Sequence, residues 1–246
     1  MRYPGQELEL FAEARRWKTY LAALVRPYLA GRVLEVGAGL GATTSYLCDG
    51  SQREWTCLEP DLDMARRLQH AIIEGRLPRC CRALFGTTRD LSVGSRFEAI
   101  LYIDVLEHIA SDAAELLQST RHLAPGGTVV VLSPAWPWLY SAFDAAIGHY
   151  RRYTRASLSA VVPRDLECVT LRYLDSVGLL ASLGNRLVLH RAIPTTRTIA
   201  LWDGYMVPVS RFLDPLLGFR VGRSLLGVWR ANGSSTRACS VPSRSN

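Results

Sequence analysis

Val33-Leu34-Glu35-Val36-Gly37-Ala38-Gly39-Leu40-Gly41 carries the reading of the fold, because a short apolar run passes straight into alternating glycines. Glycine permits a tight strand-to-helix turn with positive φ and lets a ligand approach the backbone closely. Downstream, the short apolar runs Trp55 to Leu58, Ala83 to Phe85, Ala99 to Ile103 and Thr128 to Leu132 recur between helix-like segments. Short buried strands alternating with helices predict an α/β fold with a parallel sheet covered on both faces.

Upstream, Leu8, Leu10, Phe11, Ala14, Trp17, Leu21, Leu24 and Val25 fall at helical spacing, which predicts a leading helix over 7–29. After Leu132 the alternation breaks into a stretch rich in aromatics, 133–154, punctuated by Pro134, Pro137 and Gly148 and expected to form a functional loop. Strands are expected at Leu166 to Tyr173 and at Ser224 to Trp229, with a helical insertion at about 177–217 between them. Gly184, Asn185, Pro194 and Pro208 interrupt that insertion too often for a membrane span. One domain over 1–230 is expected, with a cofactor half at 30–135; the Gly, Ser and Thr of 231–246 read as a disordered tail.

The 246 residues are 48% hydrophobic and 21% charged, the make-up of an ordinary globular chain. The net charge of +7 rests almost wholly on arginine, since Lys18 is the only lysine, and it suits an anionic ligand or a solvated basic surface. No dense basic run interleaved with aromatics points to nucleic acid. Cys48, Cys57, Cys80, Cys81, Cys168 and Cys239 follow no paired zinc spacing and read mostly as small core residues. With no signal-peptide pattern, a cytoplasmic location is expected.

Eighteen residues beyond Gly41, the second strand ends at Glu59, a carboxylate placed to accept hydrogen bonds from both hydroxyls of a ribose. An adenosine-type ligand is favoured, and these two features alone leave a nicotinamide dinucleotide open, with Ala42 completing the related GxGxxG/A pattern. Glu35 to Gly41, Glu59 to Asp61, Asp104 to Ile109 and Leu123 to Gly127 together resemble the successive motifs of class I S-adenosylmethionine-dependent methyltransferases. The resemblance implies a Rossmann-like domain with a seven-stranded, mostly parallel sheet, binding S-adenosyl-L-methionine. It places Glu35, Gly37, Ala38 and Gly39 at the methionine portion, Glu59 and Pro60 at the ribose, and Thr87 and Thr88 near adenine. Many relatives carry an acid directly after the third-strand glycine, which this chain replaces with Thr87. Asp104 and Val105 fall beside the methionine end, and Trp17 on the leading helix is placed to close over the cofactor.

Methyl transfer is an in-line displacement on an activated sulfonium, so the protein must chiefly align two reactants and help the acceptor lose a proton. The loop after the fifth strand borders the methyl group in this topology. Its segment Gly148 to Tyr153 is similar to a GHxRRY-like segment of a bacterial small-molecule methyltransferase subgroup. His149 is the first choice for the base and His108 the second, since imidazole titrates near neutrality. Tyr140, Asp144, Arg151, Arg152 and Tyr153 are the expected acceptor contacts. Asp104, Glu107 and His108 have a spacing that can hold a cation, but they are read as cofactor and helix-start contacts, so no metal is expected. The acceptor is expected to be a small aromatic or amphiphilic metabolite, with a homodimer possible through the apolar insertion. A nicotinamide-dependent oxidoreductase and a non-catalytic cofactor-binding partner stand as alternatives.

Overall fold

The computed structural model describes residues 11–184 and 195–232. Its centre is a seven-stranded sheet in the order β3-β2-β1-β4-β5-β7-β6. The strands are β1 (Arg32–Val36), β2 (Glu54–Glu59), β3 (Cys81–Phe85), β4 (Phe97–Ile103), β5 (Leu123–Pro134), β6 (Leu166–Leu174) and β7 (Ser224–Ala231). β1 to β5 pair in parallel, and β7 lies antiparallel to both β5 and β6.

Side chains alternate across a strand, and that alternation divides the interior into two cores. Val33, Trp55, Cys57, Leu101, Val130 and Leu132 face one side, beneath the leading helix α1 (Arg15–Val25). Leu34, Leu58, Ile100, Tyr102, Val129 and Val131 face the other, with Leu116 of α4 (Asp112–Thr120) and Leu158 of α6 (Arg155–Val161). Both faces are therefore apolar, and each fully buried large side chain contributes about 1.5–3 kcal/mol. Helices α2 (Thr44–Leu47) and α3 (Leu62–Ile73) follow β1 and β2, while α5 (Ala142–Ala146) stands in the loop after β5.

The leading helix is shorter than its periodicity predicts. Helix α1 starts at Arg15, after a break at Glu13 and Ala14, and runs through Val25 into a tight turn at Arg26–Tyr28. Residues 7–10 lie outside the described residues. The carboxylate of Asp203 sets the start, accepting from the amides of Arg16 and Trp17 at 3.1 and 2.8 Å and so satisfying first-turn donors that have no helical partner.

The expected insertion contains α7 (Ser176–Gly184), α8 (Thr196–Leu201), a π-helical turn at Trp202–Met206, and α9 (Val207–Leu216); 185–194 lie outside the described residues. Buried acids bind it to the body. Asp214 accepts from the Tyr20 hydroxyl and from the amides of Asp175 and Ser176, while Asp175 accepts from Trp202 and Ser210. On the outer side Leu180, Tyr205, Phe212 and Leu216 are exposed. No helix among the described residues is long and apolar enough to cross a membrane.

The cysteines are more clustered than their spacing suggests: the Sγ atoms of Cys48 and Cys80 lie 3.4 Å apart, and those of Cys81 and Cys48 3.7 Å apart. Cys168 is exposed, and Cys239 is outside the described residues. The expected tail of 231–246 starts too early, because Ala231 still pairs within β7; residues 233–246 lie outside the described residues.

Candidate active site

At the carboxyl end of β1 the chain turns through Gly37, Gly39 and Gly41 with φ of 69°, 56° and 76°, a region that side chains with a Cβ rarely enter. Space is as restrictive as conformation, since a Cβ on Gly37 would come within 2.7 Å of the Val105 side chain. Glu59, at the end of neighbouring β2, accepts from the Gly39 amide at 2.8 Å through Oε2 and from the Asp61 amide at 2.9 Å through Oε1. The carboxylate thus sits against the glycine turn and ties β2 to it. Burial pushes the Glu59 carboxyl above its ordinary range, while the two amides pull the other way. A carboxylate oxygen accepts more than one hydrogen bond, so this pair retains acceptor capacity for a ribose diol.

Glu35, expected at the methionine portion, lies beneath the turn instead. It shares a sheet face with Val33 and Trp55, and its Oε2 accepts from Thr44 Oγ1 at 2.7 Å and Trp55 Nε1 at 2.8 Å. Burial raises this carboxyl to about 7, with both donors opposing. Thr88, expected near adenine, is also turned inward: it is fully buried and donates to Glu115. Thr87 is exposed and closes a small box with Asp90, whose carboxylate accepts from the Thr87 amide and hydroxyl. Asp90 thus folds back over the position directly after Gly86. Phe85 escaped the sequence reading; it pairs in register with Glu59 and is 54% exposed at the same strand ends, beside the partly exposed Pro60.

Asp104 follows β4 with φ of 54°, an uncommon conformation for a residue other than glycine and one that accompanies functional strain. Protein surrounds it closely, yet its surface stays open to solvent. Burial raises its carboxyl to about 6, against the pull of His149, Arg223 and Lys18. Trp17, expected as a lid, is packed between Tyr20 and Trp202, with ring centroids 6.1 and 5.8 Å away, and is buried.

The loop after β5 is organised by one buried carboxylate. Asp144 accepts two parallel hydrogen bonds from Arg152, at 2.9 and 3.0 Å, and two more from the amide and hydroxyl of Ser141. It also meets His149 Nδ1 at 2.9 Å. Burial works to raise the Asp144 carboxyl, but the hydrogen bonds from His149 and Arg152 prevail and hold it well below the usual range. An ionised carboxylate only accepts, so Nδ1 of His149 donates to it and Nε2 is the ring nitrogen turned away from Asp144. Nε2 faces Glu107 Oε1 at 3.9 Å, while the ring meets His108 edge to face at 4.5 Å.

His108, Glu107 and Asp104 belong to the segment after β4, and His149 comes from the loop after β5. The Tyr150 amide donates to the Glu107 carbonyl at 2.8 Å and joins the two. Burial, then the neighbouring His149, hold the His108 imidazole down at about 4, so it stays neutral. Glu107 has no exposed surface; Ser133 donates to its Oε2, and Oε1 has no hydrogen-bond partner. Its carboxyl is raised well above the usual range by burial and by Asp104.

The remaining expected acceptor contacts divide. Asp144, Arg152 and Tyr153 build the loop: Tyr153 is buried and donates to Asp112 at 2.7 Å. Arg151 is partly exposed, paired with the same Asp112 and donating to the Ala110 carbonyl at 2.7 Å. Tyr140 donates to the His149 carbonyl at 2.7 Å and keeps an exposed ring face. Asp112, which the sequence did not single out, is the acid that anchors both Arg151 and Tyr153.

The family described as Methyltransferase domain matches residues 8–167. A search of curated proteins found no match. Among solved structures, geranyl diphosphate methyltransferase in complex with S-adenosylmethionine is 15% identical with a TM-score of 0.62, covering 92% of this chain and 90% of that one. The N-methyltransferase NodS of Bradyrhizobium japonicum WM9, bound to S-adenosyl-L-homocysteine, is 15% identical with a TM-score of 0.55, covering 89% and 87%. The [4+2]-cyclase SpnF, 14% identical with a TM-score of 0.61, covers 88% and 82%. At such identities the neighbours speak for the fold, and the family match over most of the chain speaks for the lineage. Against it the oxidoreductase and the silent-partner alternatives fall away. With a glycine turn and the Glu59 carboxylate set against it as the candidate cofactor cradle, the chain belongs to the methyltransferase-domain family and is an enzyme that uses S-adenosylmethionine.

Proposed function

We propose that the protein methylates a small-molecule acceptor, aromatic or amphiphilic, whose reacting atom is met by His149 and His108 above Asp104. The carrying observation is the Asp144 tether, which holds His149 through Nδ1 and turns its Nε2 toward Glu107, beside the His108 ring. Bound there, S-adenosylmethionine supplies an electrophilic methyl group. The protein's own part is to hold the acceptor in line and to ease the loss of its proton, the part assigned to His149. Glu59 and Pro60 are assigned to the ribose, Gly37, Ala38 and Gly39 to close backbone approach, and Asp104 with Val105 to the methionine end. Phe85 is assigned to adenine in place of Thr88, whose side chain points inward.

An open cleft of about 480 Å³ runs along the loop after β5, lined among others by Pro137, Tyr140, Tyr150 and Arg151. That volume lies in the range of small-molecule sites, about 300–1,000 Å³. Exposed rings beside a partly exposed guanidinium suit an acceptor with an apolar body and an acidic group.

Calorimetric titration with S-adenosylhomocysteine, followed by methyl-transfer assays on phenolic, amino and amphiphilic acids, tests the reading. His149→Ala should keep cofactor affinity and lose roughly 100-fold in turnover, the usual contribution of a group acting on the acceptor's proton. Equal turnover by the variant would remove His149 from the reaction.

A further inference from the structure

Three donor atoms stand together where the acceptor is proposed to react: a carboxylate oxygen of Glu107 and one ring nitrogen each from His108 and His149, all within 4.8 Å of one another. We propose that these residues form a binding site for a divalent transition-metal cation, and that the ion receives a hydroxyl oxygen of the acceptor at its open position. The second half of this inference rests on the methyltransferase reading above; the first half does not.

Four observations support the site. Glu107 Oε1 is buried without a hydrogen-bond partner while its sister oxygen is held by Ser133, so one oxygen is fixed and the other is left aimed at the imidazoles. A buried carboxyl oxygen left without a partner among the described residues calls for a donor or a cation. His149 is oriented from behind by Asp144, itself clamped by Arg152 and Ser141, the outer-carboxylate arrangement that sets a metal-binding imidazole. His108 is oriented in the same manner by the Gly148 carbonyl. Finally, the 3.9 Å between His149 Nε2 and Glu107 Oε1 is near the separation of about 3.4 Å expected for two ligands on one tetrahedral ion, a contraction within reach of small side-chain rotations.

Two imidazoles and one carboxylate are the donor set of zinc, cobalt or manganese rather than of calcium or magnesium, which prefer oxygen. Three protein ligands leave a coordination position open, as catalytic sites do. A hydroxyl held there would lose its proton to solvent more readily. Its oxygen would then form the bond to the methyl carbon while the carbon–sulfur bond breaks, its electron pair remaining on sulfur. The proposal therefore selects phenols, catechols or other hydroxyl compounds among acceptors.

The test titrates the metal-stripped full chain with cobalt(II), without cofactor or acceptor, following the visible absorption of the ion. One equivalent should bind with a tetrahedral spectrum lacking sulfur charge-transfer bands, and zinc should displace it. Glu107→Gln and His149→Ala should each weaken binding at least tenfold while still binding S-adenosylhomocysteine, which shows that they fold. Absence of the signal in the wild-type chain overturns the proposal. So does binding that survives both variants but is lost in Cys48→Ser, which would assign the ion to the cysteine cluster. Because this readout needs no turnover, cobalt binding without methyl transfer would retain the site and refute the functional reading. Transfer without metal binding would do the reverse and leave His149 acting on the proton itself.

Discussion

Where the cofactor is proposed to bind, a carboxylate is satisfied by backbone: Glu59 accepts from the amides of Gly39 and Asp61. Where the acceptor is proposed to bind, a carboxylate is satisfied by side chains: Asp144 takes Arg152, Ser141 and His149. The first arrangement depends on chain conformation, which glycines fix locally, and tolerates exchange of the surrounding side chains. The second depends on charge balance among residues that must all be present at once. Removing one member there leaves buried charge uncompensated, whereas removing Glu59 leaves two neutral backbone amides without their acceptor.

Four substitutions measure that difference, and the largest effect should come from Asp144→Ala. It strands Arg152 and His149, and denaturant unfolding should show a loss of about 3–5 kcal/mol. A loss under about 1 kcal/mol, the scale of an exposed pair, would mean that packing rather than charge holds the acceptor loop. Next comes Glu35, whose folded carboxyl stands at about 7 against an ordinary 4.5. A raised carboxyl binds its proton more tightly in the folded state, so stability should fall as pH rises from about 4.5 to about 7, by about 3 kcal/mol. Unfolding midpoints of Glu35→Gln across that window should lack the slope; an identical slope would place the titrating group elsewhere. Third, Glu59→Ala should weaken S-adenosylhomocysteine by roughly 1.5–3 kcal/mol in calorimetry, as for lost hydrogen bonds to a charged group, with less effect on unfolding than Asp144→Ala. Unchanged affinity would take Glu59 out of the ribose role. The smallest effect belongs to Arg151→Ala, a partly exposed pair with Asp112. Stability should change by less than about 1 kcal/mol, and acceptor KM should rise with kcat nearly constant.

The same contrast explains what could be read from the sequence. The order of strands and the glycine turn were legible because local patterns determine them: apolar runs make buried strands, and φ near 60° selects glycine. Exposure was not legible. Asp144, Tyr153 and Thr88 look like site residues by position and type, yet each is buried and spent on a neighbour. That His149 stands beside Glu107 and His108 was not legible either, because it arrives from another loop through the register of β4 and β5. The break before Arg15 was invisible too, since Asp203, which sets the helix start, lies far along the chain.

The position of β7 bears on how the molecule assembles. It is wedged between β5 and β6, and β6 has no other neighbour in the sheet. Until residues 224–231 have been synthesised, β5 presents an unpaired edge and β6 has nothing to join. Long-range pairing of this kind is slow, because chain closure precedes any gain from contacts. A nascent chain halted in the insertion would carry a folded glycine turn beside an open apolar edge, the form most exposed to aggregation or to capture by a chaperone.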